Sequence, residues 1–183
     1  YWAQSKYLKE TNRKINMITG KNYIGNLLSS IGNITFKTFN PQTNTENNVL
    51  FSEASDVEIQ QAVELATEAF KTFKSVSGAK KSEFLNEIAN EIEALGDELI
   101  KTYCSETGLP EGRAIGERGR TIFQLRSFAN LVNECSWVEA TIDTSDVNRQ
   151  PIPKVDIRKM LIPLGPVVVF GASNFPLAYS TAG

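Results

Sequence analysis

The chain has 183 residues, of which 41% are hydrophobic and 22% charged, with a formal net charge of -2 and no histidine. Those figures describe an ordinary globular protein of about one or two domains, and they exclude a Ser-His-Asp triad, a Cys-His pair and any histidine-ligated metal site on this stretch. The slightly acidic balance offers no basic face for phosphates, so no nucleic-acid partner is expected, and Cys104 and Cys135 supply neither a disulfide framework nor a thiolate zinc site, which fits a reducing, cytoplasmic setting.

Residues 1–16 carry Lys6, Lys9, Arg13 and Lys14 against Glu10 alone, and Met17 follows. They read either as an extension upstream of a start at Met17 or as a basic surface helix. Short extended pieces are expected at 21–24, 34–39 and 49–51, broken by Gly25, Gly32 and a turn at Asn40-Pro41, where the proline ring biases its predecessor away from helix. Ser55 and Glu58 have the spacing of a capping box, so a helix opens there, with Ile59, Ala62, Val63, Ala66, Phe70 and Phe73 on one stripe.

A second helix is expected over 79–95, burying Phe84, Leu85, Ile88, Ile92 and Leu95, and a third over 97–107, burying Leu99, Ile100 and Tyr103. Gly108 stops the third, and Pro110 suits the start of a fourth that runs to about residue 133. This fourth helix holds Gly112, Gly116 and Gly119, each costing about 1 kcal/mol against alanine, and close packing on another backbone is the expected compensation. Arg113 and Arg120, seven residues apart, share one face of it; Arg118 and Arg126 read as solvated partners of Glu111 and Glu117.

Beyond Cys135 the pattern turns to β. Residues 137–144 alternate, a loop with Pro151 and Pro153 follows, and 155–162 form a second strand, together an antiparallel ribbon that needs a partner surface. Gly165-Pro166 then breaks the chain before the apolar run 167–170, which suits a buried parallel strand. That run is also the longest purely apolar one, far short of a bilayer span, and the N-terminus lacks a signal peptide's apolar stretch; no membrane partner is expected. The fold class is therefore α/β, with its main sheet barely begun. The chain stops within Leu177-Ala-Tyr-Ser-Thr-Ala-Gly without a helix terminator, the expectation for a piece of a longer protein.

The strand passing into Gly171-Ala-Ser-Asn174 and then a helix puts small residues and an amide at the carboxyl end of a strand, where open α/β sheets bind ligands. A tight connection with Asn174 as helix cap is the equal alternative. The string Gly165-Pro-Val-Val-Val-Phe-Gly-Ala-Ser-Asn-Phe-Pro-Leu177 resembles the aldehyde dehydrogenase superfamily. The resemblance extends back through Ile162-Pro-Leu-Gly165, the ribbon, Glu106-Thr-Gly-Leu-Pro110 and Phe39-Asn-Pro41, covering residue 18 onward, about the first third of a family chain. Gly-Ala-Ser-Asn174, Gly116-Glu-Arg-Gly-Arg-Thr121 and Gln124-Leu-Arg126 resemble the 2-oxoglutarate semialdehyde (2,5-dioxopentanoate) dehydrogenases within it.

With the possible extension 1–16 set apart, the resemblance implies the helical part of a cofactor-binding domain at 17–134, an oligomerisation ribbon at 135–164, and the first strand of a nucleotide-binding sheet at 165–183. It implies oxidation of a carboxylated aldehyde by NAD or NADP through a cysteine thiolate and a glutamate base, in a dimer or tetramer of identical chains. Asn174 matches the family's oxyanion donor, Phe170, Gly171, Ala172 and Ser173 the positions beside the nicotinamide ribose and ring, and Phe175 and Tyr179 the aldehyde tunnel. Arg120, with Arg113 as a second contact, falls where a substrate carboxylate would bind. The matching nucleophile, base and glycine-containing phosphate loop lie past residue 183, and neither Cys104 nor Cys135 fills the nucleophile's place. A non-catalytic scaffold and a coenzyme A-acylating dehydrogenase are the alternatives.

Overall fold

The computed structural model describes residues 18–182. The extension expected at 1–16 and the start at Met17 lie outside the described residues. The described residues divide into two compact units, 18–62 and 63–182.

The first unit is built on two hairpins. Strands β1 (Asn22–Ile24) and β2 (Leu27–Ser29) pair antiparallel around Gly25-Asn26, and β3 (Thr35–Asn40) pairs with β4 (Thr45–Ser52). The second turn forms because the Asn40 Oδ1 accepts the amides of Gln42 at 2.9 Å and Thr43 at 3.4 Å, holding the chain in the reversal that Pro41 favours. Phe36 and Phe51, directly opposed in register, stack with ring centroids 5.7 Å apart. Strand β4 begins earlier than the apolar pattern predicts, because its first residues, Thr45 to Asn48, are polar and pair with β3 through backbone and through side chains, Lys37 with Glu46 and Asn47 with Thr38.

The hairpins are tied to flanking chain by two further bonds, Ser52 N to Gly20 O at 2.8 Å and Glu53 N to Ile34 O at 2.9 Å. Gly20 is required at the first: a Cβ there would sit 2.0 Å from the Leu50 carbonyl oxygen, and its φ of +69° is left-handed. Helix α1 (Asp56–Phe73) starts at the expected capping box, with Ser55 N donating to Glu58 Oε2 at 2.8 Å and Glu58 N to Ser55 Oγ at 3.4 Å. Glu58 does more than cap. Its carboxylate is 0% exposed and also accepts the Ile31 amide at 3.3 Å, fastening the segment after β2 to the helix start.

Helices α2 (Gly78–Ala94), α3 (Gly96–Thr107) and α4 (Glu111–Glu134) form the second unit. Ser77 caps α2 through its Oγ, which accepts the Lys80 amide, and Gly108 ends α3 with a φ of 70° and its amide on Cys104 O. Gly78 admits a close crossing, since a Cβ on it would lie 2.2 Å from the Val132 carbonyl oxygen of α4. Two apolar clusters result: Ala89, Ile122 and Leu125 with Leu85, Ile88 and Ile92 around them, and Ile100, Tyr103 and Ala114 with Cys104, Leu109 and Leu177.

Several expectations need correction. Phe84 and Leu95 are exposed rather than buried, Leu95 being the cap residue between α2 and α3, and the α1 stripe is largely open to solvent, with Ile59, Val63 and Phe73 exposed. Ribbon strands β5 (Thr141–Asp143) and β6 (Ile157–Lys159) are shorter than the alternation suggests. Cys135 and Glu139 both adopt left-handed backbone and enclose a short 3-10 turn at Ser136–Val138, so Trp137 and Val138 leave the strand. Residues 167–170 form no ladder: a parallel strand needs a neighbour, none pairs with it among the described residues, and Phe170 is 88% exposed. No helix among the described residues is long and apolar enough to cross a membrane.

Glu58 makes the first unit acid-sensitive. The Ser29 hydroxyl above all, then the Ser55 amide, the Ser55 hydroxyl and the Ile31 amide bind the ionised form and outweigh desolvation, lowering its pKa from 4.5 to about 2. A depressed carboxyl stabilises the fold above its unfolded pKa and loses that contribution as pH falls through the folded value. The stability gap between the wild-type chain and Glu58→Gln should therefore be full above pH 4.5 and shrink towards pH 2. Thermal melts across that range check it; a gap independent of pH would refute the assignment.

Candidate active site

The site is built where the chain after residue 170 returns to α4. Phe175 N donates to Ala172 O at 3.1 Å, closing a turn that carries Asn174, and a short π-helical segment, Ala178–Ala182, follows. Leu177 enters the cluster of Ile100, Tyr103 and Ala114, and Ala182 packs on that of Ala89 and Ile122. Apolar contacts thus fix this segment from below, and α4 supplies the polar ones.

Three α4 side chains meet the turn. Arg113 Nη2 donates to the Asn174 carbonyl oxygen at 3.1 Å, and its guanidinium lies 4.1 Å from the centre of the Phe175 ring. Arg120 approaches the same ring at 5.5 Å, and Phe175 packs on Tyr179 with centroids 5.3 Å apart. Between the arginines Glu117, 3% exposed, accepts the amides of Leu177 at 2.8 Å and Ala178 at 3.0 Å on Oε1, and the Tyr103 hydroxyl at 2.6 Å on Oε2. Residues 113, 117 and 120 follow the helical period, so one face of α4 presents all three. Burial raises the Tyr103 hydroxyl pKa, the Glu117 bond raises it further and Arg113 opposes, so Tyr103 stays a donor.

Of the residues singled out by sequence, Asn174, Phe175, Tyr179, Arg113 and Arg120 come together here. Phe170, Gly171 and Ser173 lie exposed on the approach to the turn, and Ala172 is half-buried. The amides of Leu177 and Ala178, which a helix cap would hold, are taken by Glu117, and Asn174 is left exposed. Arg118 and Arg126 do not pair with Glu111 and Glu117 as expected: Arg118 donates to Gly96 O at 2.9 Å, and Arg126 binds Glu93 at 2.9 Å and Asn90 at 3.3 Å.

Glu117 and Tyr103 were the residues that sequence reasoning passed over in functional terms. A signal existed, because Glu117 occupies the buried stripe of α4 with Ala114, Thr121 and Leu125, where a carboxylate demands partners. The close packing expected at the α4 glycines is absent among the described residues. A Cβ at Gly112, Gly116 or Gly119 would meet nothing within 4 Å, so these glycines do not admit a close backbone approach among the described residues.

The model of the aldehyde dehydrogenase family matches residues 29–182. The chain is 43% identical over 167 residues to alpha-ketoglutaric semialdehyde dehydrogenase 2 of Azospirillum brasilense, covering 91% of this chain and 32% of that protein. It is 42% identical over 164 residues to alpha-ketoglutaric semialdehyde dehydrogenase of Acinetobacter baylyi, covering 90% and 31%. The chain thus spans about a third of the length of these curated relatives. Among solved structures, an NAD-dependent benzaldehyde dehydrogenase from Corynebacterium glutamicum superposes with a TM-score of 0.64 at 18% identity, over 73% of this chain and 28% of that one, a likeness of fold.

The open glycines of α4 give a direct test. Gly116→Ala should stabilise the chain by about 0.5 to 1 kcal/mol, since alanine loses less backbone entropy and finds free space. Urea denaturation measures it; a loss of stability would mean that the position is packed after all.

Proposed function

The chain belongs to the aldehyde dehydrogenase family, and on that premise we propose that it supplies the oxyanion donor and the carboxylate-binding arginine of an enzyme that oxidises 2,5-dioxopentanoate, or a similar carboxylated aldehyde, to the acid with NAD or NADP. The observation that carries this reading is the convergence of Asn174, Phe175, Tyr179, Arg113 and Arg120 on one turn. The names of the relatives from Azospirillum and Acinetobacter support the substrate class.

In the whole protein a cysteine thiolate outside these residues adds to the aldehyde carbon, and the carbonyl electron pair moves onto oxygen. Asn174 donates its side-chain amide to that developing anion, a neutral and preorganised contact of the kind that lowers acyl-transfer barriers. Arg120 binds the distal carboxylate, for which a planar guanidinium offers two parallel donors, and the remaining donors of Arg113 add a second contact. Phe175 and Tyr179 form the apolar wall against which the aliphatic part of the substrate lies. A glutamate outside these residues activates the water that releases the acid.

Phe170, Gly171, Ala172 and Ser173 are the residues that would lie beside the nicotinamide. Three small residues in a row, with Gly171 and Ser173 exposed, leave a planar ring access to the backbone, so this stretch fits that half of the cofactor. The bound nicotinamide supplies the hydride acceptor. No Gly-x-Gly-x-x-Gly occurs in these 183 residues, and the phosphates are not assigned to them. The ribbon at 135–164, with Ile142 and Ile157 exposed, supports assembly of identical chains through its apolar face, and the unpaired thiols of Cys104 and Cys135 support a cytoplasmic location.

Two substitutions in the full-length enzyme test the assignment. Asn174→Ala should lower kcat roughly a hundredfold to a thousandfold with little change in cofactor affinity. Arg120→Met should raise KM for 2,5-dioxopentanoate by at least about tenfold, the scale of a charge-assisted hydrogen bond, while sparing a neutral aldehyde of similar length. Equal effects on both aldehydes would remove Arg120 from the substrate site.

A further inference from the structure

We propose that Glu117 is a positioning residue, which together with Arg113 clamps the turn that presents Asn174; the inference rests on the oxyanion role assigned to Asn174 above. The two side chains stand one helical turn apart on α4 and carry opposite charges. Each takes the backbone group that suits its sign. Arg113 holds the Asn174 carbonyl oxygen at 3.1 Å, and Glu117 holds the amides three and four residues later, those of Leu177 and Ala178, at 2.8 and 3.0 Å.

The clamp matters because little upstream steadies this segment: among the described residues Leu161 N donates to Val138 O at 2.8 Å, well before the turn. Residues 160–172 form no strand or helix, and Leu164 and Phe170 are 98% and 88% exposed. A donor on a wandering turn contributes little, since oxyanion stabilisation depends on a dipole already fixed where the charge develops. Glu117 is itself fixed. It is buried on the inner stripe of α4, its Oε2 accepts the Tyr103 hydroxyl from α3, and Thr121 Oγ1 closes the helix turn beneath it on Glu117 O at 2.8 Å. Its Oε1 serves as cap to the short helix after the turn, which leaves the Asn174 side chain free of that duty.

A double-mutant cycle in the full-length enzyme tests the inference, with 2,5-dioxopentanoate as substrate. Glu117→Ala should lower kcat at least about tenfold while KM for the aldehyde stays within about twofold, and Glu117→Gln, which keeps an oxygen for the two amides, should recover most of the rate. In the Asn174→Ala background, Glu117→Ala should cost less than about twofold more, because the clamp acts through Asn174. If Glu117→Ala does not fold, Glu117→Asp, which draws the carboxylate back by one methylene, takes its place in the cycle. Multiplying losses in the double variant, or an unchanged kcat in the single one, would overturn the clamp. An unchanged kcat in Asn174→Ala alone would instead remove the oxyanion role, and the clamp with it.

Discussion

A carboxylate inside a protein is tolerable only when its charge is met by donors, and the second unit of this chain is organised around that requirement at Glu117. The side chain lies in the buried stripe of α4 among Ala114, Thr121 and Leu125. Its three donors come from α3 and from a segment sixty residues further along the chain. Satisfying one charge therefore brings together three stretches that apolar contact alone would hold with less definition. The apolar cluster of Ile100, Tyr103 and Ala114 includes Leu177, whose own amide binds Glu117, so packing and polar satisfaction agree on the same geometry.

Glu58 repeats the device in the first unit with a different sequence logic. There a capping serine three residues earlier supplies donors from its amide and hydroxyl, and the Ser29 hydroxyl and Ile31 amide reach in from the segment after β1. Both carboxylates sit at or near the start of a helical segment, where free amides make an anion welcome. In each case backbone amides fasten a segment to a helix, and at Glu117 the packing of Leu177 acts with them. This suits the turn holding Asn174, whose neighbours on the upstream side are exposed.

Apolar surface left open is the other consistent feature. The stripe on α1, the ribbon strands β5 and β6, and residues 167–170 all present large aliphatic or aromatic side chains to solvent. Each has the pattern of a segment meant to be covered, and a parallel sheet in particular has both of its faces buried. The chain spans about a third of the length of the curated relatives from Azospirillum and Acinetobacter.

Local rules carried much of the fold. The capping box at Ser55, the helix stop at Gly108, the start after Pro110 and the turn at Asn40-Pro41 all stand as the residues imply, because a cap or a turn depends on atoms a few positions apart. The family was legible from the string around Asn174 for the same reason. What the sequence could not determine was burial: the glycines of α4 face open space, residues 167–170 lack neighbours, and the arginines at 118 and 126 bind partners other than the nearest carboxylates. Nor could it show that Glu117 reaches Leu177 and Ala178, sixty and sixty-one residues away. Helical period and caps are written in the spacing of one segment, whereas the donor that meets a buried charge is chosen by which segments the tertiary fold brings within hydrogen-bond distance.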